Sequence, residues 1–192
     1  MFDGSTLPFE ENVKRTKEVV DYAHAKGVSV EAELGHVADA VSGAKETLKS
    51  ATTNEDIEKC MTDVGEAKAF IERTGVDCLA VAIGTAHGVY VSAPVLQYKR
   101  LDEINRVSPC PLVMHGGSGT PDNDVKKAIE LGICKINIFS EVLNALNTNL
   151  KEKLNGIENL SMWPIYVYKN AMQGMKEVIR HKIRTFGSNG RV

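Results

Sequence analysis

Several features that would tie a chain to a special environment are missing from this one. No apolar run approaches the ~18 residues of a membrane span, and the opening Met1-Phe2-Asp3-Gly4-Ser5 does not read as a secretory signal. Neither sign of charge is in excess. The 23 basic and 25 acidic side chains leave a formal net charge of −2, so neither nucleic acid nor a membrane surface is expected as a non-specific partner. Cysteine is scarce, and Cys60, Cys78, Cys110 and Cys134 form no C-x-x-C pair. They read as buried, reduced thiols of a cytoplasmic protein rather than as a disulfide framework. No short repeat, low-complexity tract or interdomain linker breaks the chain. What is present is ordinary for a globular domain: 192 residues, 43% hydrophobic and 25% charged, enough for one domain with a real core.

Residue periodicity orders the chain into alternating helices and strands. The pattern predicts a helix over 8–26, with Pro8 in its first turn, Val13, Val20 and Ala23 on one face, and Gly27 as its stop. Val28–Leu34 alternates as a strand ending at Gly35, and 36–54 reads as a long polar loop. A second helix is expected over 55–74, closed by Gly75. Asp77–Ile83 then forms the continuous apolar run of a strand buried on both faces of a parallel sheet. Further on come a helix over 95–107, a strand over 112–115, a glycine-rich turn over 116–120, and a helix over 122–131 capped by Gly132. A strand over 133–138 and helices over 140–153 and 165–185 complete the order. Strand and helix alternate four times, which predicts βα units around a parallel sheet. The first residues, Met1–Gly4, look like the end of a fifth strand.

In parallel βα folds, chemistry gathers at the carboxyl ends of the strands. Here every strand ends in unusual polar residues: Asp3, then Glu31 and Glu33, then His87 just past its strand, His115 and Asn137. One such residue is commonly a loop anchor, whereas five successive strands doing so point to a shared site. Two histidines and carboxylates on one rim suit a divalent metal, with zinc the expected ion. His87 and His115 are the clear candidates, with Glu33 or Asp3 as carboxylates. His24 and His181 sit on helix faces and read as surface or packing groups, and His36 is a weaker metal candidate. The turn His115-Gly116-Gly117-Ser118-Gly119 lies between a strand and a helix start. Its glycines let backbone approach an anion, and the helix N-terminus offers free N–H groups. Asn137-Ile138-Phe139-Ser140 repeats that arrangement at the next helix, with a hydroxyl to donate.

Four segments together resemble one family. Glu31-Ala-Glu-Leu-Gly35, Ala82-Ile-Gly-Thr-Ala-His-Gly-Val-Tyr90, Leu112-Val-Met-His-Gly-Gly-Ser-Gly119 and Lys135-Ile-Asn-Ile-Phe-Ser-Glu141 resemble, in order, the zinc-dependent class II ketose-bisphosphate aldolases. Phe186-Gly-Ser-Asn-Gly190 is similar to the tail of the family's shorter members. The resemblance implies an α/β chain of the (β/α)₈ TIM-barrel type, a phosphorylated ketose as substrate and zinc as cofactor. It also implies a place in glycolysis or related carbohydrate metabolism. Such enzymes cleave fructose or tagatose 1,6-bisphosphate to dihydroxyacetone phosphate and glyceraldehyde 3-phosphate. By resemblance, His87 and His115 match two zinc ligands, and Glu33 and Asp3 match carboxylates that hold the metal in a resting position. Gly88, Gly116, Gly117 and Ser118, with Asn137, Ile138, Phe139 and Ser140, match positions that bind the dihydroxyacetone phosphate moiety. Phe139 and Ser140 differ from the commonest residues there, although Ser140 keeps the hydroxyl. Asn137 is the implied catalytic group, hydrogen-bonding the enediolate that forms as C3–C4 breaks.

Two departures accompany the match. After Gly35 the family places a glycine-rich acidic loop with a proton-transfer glutamate. This chain reads His36-Val-Ala-Asp-Ala-Val-Ser-Gly43, so Asp39 or Glu46 would have to substitute. The family's adjacent Asp-His pair, which supplies the catalytic aspartate and a first zinc ligand, occurs nowhere in the sequence. A complete barrel of this type takes about 250 residues, and the chain matches about the last five βα units of eight. The expectation is therefore a partial barrel lacking its N-terminal units, and a homo-oligomer that covers its exposed strand edges. The alternative function is an inactive remnant that keeps phosphosugar binding or oligomer contacts.

Overall fold

The computed structural model describes residues 1–39, 58, 60–87, 94–158 and 163–191. They fall into two compact units, Met1–Asn137 and Ile138–Val192. The first runs α1 (Phe9–His24), β1 (Glu31–Leu34), β2 (Ala38–Asp39), α2 (Val64–Thr74), β3 (Cys78–Val81), β4 (Ala86–His87), α3 (Tyr98–Val107), β5 (Leu112–Met114), α4 (Asp122–Glu130) and β6 (Ile133–Ile136). The second holds α5 (Ser140–Asn155) and α6 (Pro164–Thr185), which pack against each other. Their approach is close enough that a Cβ on Gly174 would lie 2.3 Å from Asn149 Nδ2.

Strands β1, β3, β5 and β6 pair in that order, all parallel. Phe2 adds an isolated parallel bridge to Ala32 on the outer side of β1. Strand order thus follows chain order without reversal. A doubly wound sheet reverses direction to cover both faces, whereas strands advancing one way with right-handed crossovers carry their helices on one face, as in a barrel wall. The helices agree: α1 packs on α2, α2 on α3, and α3 on α4.

Register divides the sheet into two sets. Ala32, Leu79, Leu112 and Ile133 share one cross-strand row, and all four are buried. The next row, on the opposite face, is Glu33, Ala80, Val113 and Lys135. Since successive residues of a strand face opposite ways, Glu31 joins this second face and the helix-covered face stays apolar. Between Leu112 and Val113 the β5–β6 register shifts, leaving Cys134 as the extra residue. The ribbon of β2 and β4 pairs the segments that follow β1 and β3, setting Asp39 opposite His87.

Several expectations need correction. The helix expected over 55–74 is interrupted: Glu58 and Cys60 are helical, Met61, Thr62 and Asp63 are not, and α2 begins at Val64, where Asp63 caps it by accepting from the N–H groups of Gly65 and Glu66. Just before that cap, Thr62 binds the sheet instead: its hydroxyl donates to the Leu34 carbonyl and accepts from the Ala82 N–H. The first strand is shorter than Val28–Leu34, with Val28 exposed, and α3 begins at Tyr98 rather than at 95. None of the four thiols is fully buried; Cys134 is exposed because it is the bulged residue of β6. Most of the long loop expected over 36–54 lies outside the described residues, with Glu46 in that part. Among the described residues no helix is long and apolar enough to cross a membrane.

Replacing Thr62 with valine keeps the shape and removes both bonds, leaving a buried carbonyl and a buried N–H without partners. The expected loss is about 1–3 kcal/mol, read as a lower urea midpoint with an unchanged slope.

Candidate active site at the strand ends

The row geometry brings one histidine between two carboxylates. His115, directly after β5, places Nδ1 2.7 Å from Glu33 Oε2 and Nε2 2.9 Å from Glu31 Oε1. The side chains of His115 and Glu33 are 3% and 1% exposed, and that of Glu31 is 10% exposed. An ionised carboxylate only accepts, so the form in which both ring nitrogens donate to these oxygens is the imidazolium. Burial opposes that charge, but the hydrogen bonds to Glu33 and Glu31 outweigh it and raise the His115 pKa above its ordinary 6.5. Glu31 shifts the other way. Burial favours its neutral form, yet hydrogen bonds from Lys135 and His115 prevail and lower its pKa.

Each carboxylate has further support. Asn12 on α1 donates to the Glu33 backbone carbonyl at 3.1 Å and is itself held by Thr16. Glu33 Oε1 accepts a long bond from the Val37 N–H at 3.4 Å. Glu31 Oε2 accepts from Lys135 Nζ at 2.8 Å and from the Cys78 thiol at 3.7 Å. Burial and the neighbouring Glu31 charge push the Cys78 thiol up to about 11, so it stays protonated. Two cations thus face two carboxylates.

Of the other expected metal ligands, His87 comes close: its ring centroid is 6.1 Å from that of His115. Asp3 turns its carboxylate onto the Ser5 N–H at 2.9 Å, and Ser5 Oγ lies 3.3 Å from His36 Nδ1. Two imidazoles and two carboxylates are the donor types zinc takes, so the residues fit such an ion in chemistry. Among the described residues, however, no group of three or more such side chains is already arranged to hold a metal. Both nitrogens of His115 face carboxylates, so a metal would have to displace a proton and one of these bonds.

The glycine turn lies beside this cluster. Gly116 has φ +65°, and a Cβ there would meet the Ala86 carbonyl oxygen at 2.4 Å, so glycine is required. The Gly117 N–H donates to the Asn137 carbonyl at 3.3 Å, and the Asn137 N–H donates to the Met114 carbonyl at 3.1 Å. Ser118 is buried, as is Thr120, whose hydroxyl has no hydrogen-bond partner among the described residues. The following helix is a weaker anion site than the sequence implied. Asp122 and Asp124 occupy its first turn and already use the positive end of its dipole. Asn137 is exposed, and its Oδ1 accepts from Lys135 Nζ at 2.8 Å. Gly88 lies outside the described residues. Ile138, Phe139 and Ser140 open the second unit, with Phe139 72% exposed and Ser140 the first residue of α5.

Glu31, expected at a strand end, opens β1, and Lys135 was not among the expected site residues. Its alternation with Asn137, directly after β6, was the available signal, and a lone lysine on an edge strand reads as a solvated charge.

The family described as class-II fructose-bisphosphate aldolase matches residues 1–191, and the chain belongs to that family. Among solved structures it is similar to the YdjI aldolase of Escherichia coli, with 38% identity over 98% of this chain and 61% of that one, at a TM-score of 0.78. A structure from Coccidioides immitis superposes at 0.79 with 27% identity, over 100% of this chain and 63% of the other. The fructose-bisphosphate aldolase of Campylobacter jejuni shares the fold at 0.74 with 22% identity, over 96% and 59%. The chain therefore spans about three fifths of the length of these structures.

The His115–Glu31 couple sets a pH window for the metal-free protein. A raised histidine pKa stabilises fully below about 6.5 and loses its effect as pH rises through the folded value. A lowered glutamate pKa stabilises above about 4.5 and loses its effect as pH falls through its folded value. In chelator, the urea midpoint is expected to be highest between these limits. Glu31→Gln should flatten both flanks, and a profile identical to wild type would contradict the pairing.

Proposed function

We propose that this chain carries the metal- and phosphate-binding side of a zinc-dependent aldolase that cleaves a ketose 1,6-bisphosphate. The products would be dihydroxyacetone phosphate and glyceraldehyde 3-phosphate, with fructose or tagatose 1,6-bisphosphate as substrate. The observation that carries this reading is His115 clasped by Glu33 and Glu31, with the His87 ring beside it, next to a tight glycine turn. His87 and His115 would hold the zinc, with Glu33 as a carboxylate for its resting position; Asp3 is retained in that role on family resemblance alone. Zinc, when bound, supplies a Lewis acid for the negative charge that develops as C3–C4 breaks.

The chain's own groups do the rest. The turn of Gly116, Gly117 and Ser118, with the Thr120 hydroxyl that has no hydrogen-bond partner among the described residues, receives the phosphate of the three-carbon product, and so holds the breaking bond in one place. Resemblance adds Gly88, Ile138, Phe139 and Ser140 to that binding set. Asn137, whose amide oxygen is occupied by Lys135, has its NH₂ left to donate to the developing charge. A second reading, phosphosugar binding without turnover, draws its support from the sequence, which contains no Asp-His pair.

Two measurements separate these readings. Zinc titration of the protein should weaken by at least about 10–100-fold on His115→Ala or His87→Ala, the scale set by the loss of groups that merely orient ligands. Unchanged binding would remove the metal assignment. A coupled assay with both bisphosphates, with and without chelator, should give chelator-sensitive turnover; binding of dihydroxyacetone phosphate without turnover would favour the second reading.

The same proposal includes self-association. Ile165, Tyr168, Met172, Ile179 and Ile183 recur at helical spacing along α6, and all are exposed. Sedimentation should find a dimer or larger species, and a compact monomer in dilute buffer would exclude this.

A further inference from the structure

The bulge in β6 has a consequence for the site. In an unbroken register, Leu112 opposite Ile133 would put Cys134 opposite Val113 and Lys135 opposite Met114. Lys135 would then face the helices with the apolar set. The extra residue resets the phase, so that Val113 is opposite Lys135 and Met114 opposite Ile136. Lys135 therefore emerges on the face of Glu31 and Glu33, while Cys134 is left exposed with its thiol on the Gly132 carbonyl. Bulges commonly re-aim a side chain beside a functional site. Here the re-aimed ammonium bridges two strands, lying 2.8 Å from Glu31 Oε2 and 2.8 Å from Asn137 Oδ1.

That second contact determines how the Asn137 amide is turned. The two ends of an asparagine amide are nearly identical in shape, and only their partners decide which is which. An ammonium has donors and no acceptor, so the atom facing Lys135 must be the carbonyl oxygen. The NH₂ is the end left for a ligand. A continuous chain of hydrogen bonds now links Asn137, Lys135, Glu31, His115 and Glu33.

We propose that Lys135 is a positioning residue, aimed by the β6 bulge, whose ammonium couples Glu31 to Asn137 and fixes the Asn137 amide with its NH₂ as the donor for the developing negative charge. The proposal rests on the aldolase reading for the use made of that amide, and on the geometry alone for its orientation. A lysine contributing only a half-exposed ion pair would be worth little, and its loss would leave the amide and the chemistry unchanged.

The test compares wild type, Lys135→Met and Lys135→Arg in the full chain, with folding checked by urea midpoint. In the metal-free protein, ¹⁵N relaxation of the Asn137 side-chain amide should report an ordered group in wild type. In Lys135→Met the order parameter should fall below about 0.6, the range of flexible groups. Lys135→Arg, which keeps donors but no acceptor, should retain most of the order. In the zinc-loaded protein with fructose 1,6-bisphosphate, Lys135→Met should lower kcat about tenfold to a hundredfold. That falls below the ~10²–10³ lost when such a donor is deleted outright. KM should stay within about twofold, and Lys135→Arg should recover much of kcat. An amide as ordered in Lys135→Met as in wild type overturns the proposal, as does an unchanged kcat. A wild type without turnover would count against the aldolase reading, and the metal-free amide measurement would then decide the proposal by itself.

Discussion

A buried imidazolium between two carboxylates is the constraint on which the rest of the site depends. His115 and Glu33 are almost wholly excluded from solvent. A charge in such a place is tolerated only where partners meet it at hydrogen-bond distance, and removing one partner of a buried pair typically costs about 3–5 kcal/mol. The ends of β1 and β5 must therefore arrive at a fixed separation, with β3 between them. Much of the surrounding structure serves that end. Asn12 ties α1 to the Glu33 carbonyl, and Thr62 ties the ends of β1 and β3 together. Gly116 lets the chain turn directly beneath the Ala86 carbonyl as soon as His115 is placed.

Two backbone irregularities complete the arrangement. The β2–β4 ribbon joins the segments beyond β1 and β3 and carries His87 to the side of His115. The β6 bulge turns Lys135 from the helix-covered face to the polar one, where it balances Glu31. The ribbon lies beyond the carboxyl ends of β1 and β3, whereas the bulge falls near the start of β5 and β6. In both places a small departure from regularity aims a side chain without disturbing the packed core.

Much of the architecture was legible because it rests on local rules. Asp77–Ile83 announced a buried parallel strand through its unbroken apolar run, and Gly27, Gly35 and Gly75 ended their elements at the positive φ values glycine permits. The boundary at Val64 was harder to read. The sequence before it is compatible with helix, and only the demand of Leu34 and Ala82 for a hydroxyl draws Thr62 out of it. Glu31 was singled out as a polar strand-end residue but opens β1 instead, and its partners were not legible, since they lie 84 and 104 positions further along the chain. Asp3 matched a family position, while its carboxylate accepts from the Ser5 N–H of the turn it belongs to.

By itself the sequence determined the alternation of βα units, the gathering of polar residues at strand ends and membership in the aldolase family, because periodicity and short motifs are written in neighbouring residues. Only the tertiary structure decided which oxygen meets which nitrogen: that His115 is held at both ring atoms, that the Asn137 amide faces Lys135 with its oxygen, and that Lys135 reaches the site at all. That last fact depends on one extra residue in β6. A shift of one residue exchanges the two faces of a strand, and nothing local to Ile133–Ile136 states where the shift falls.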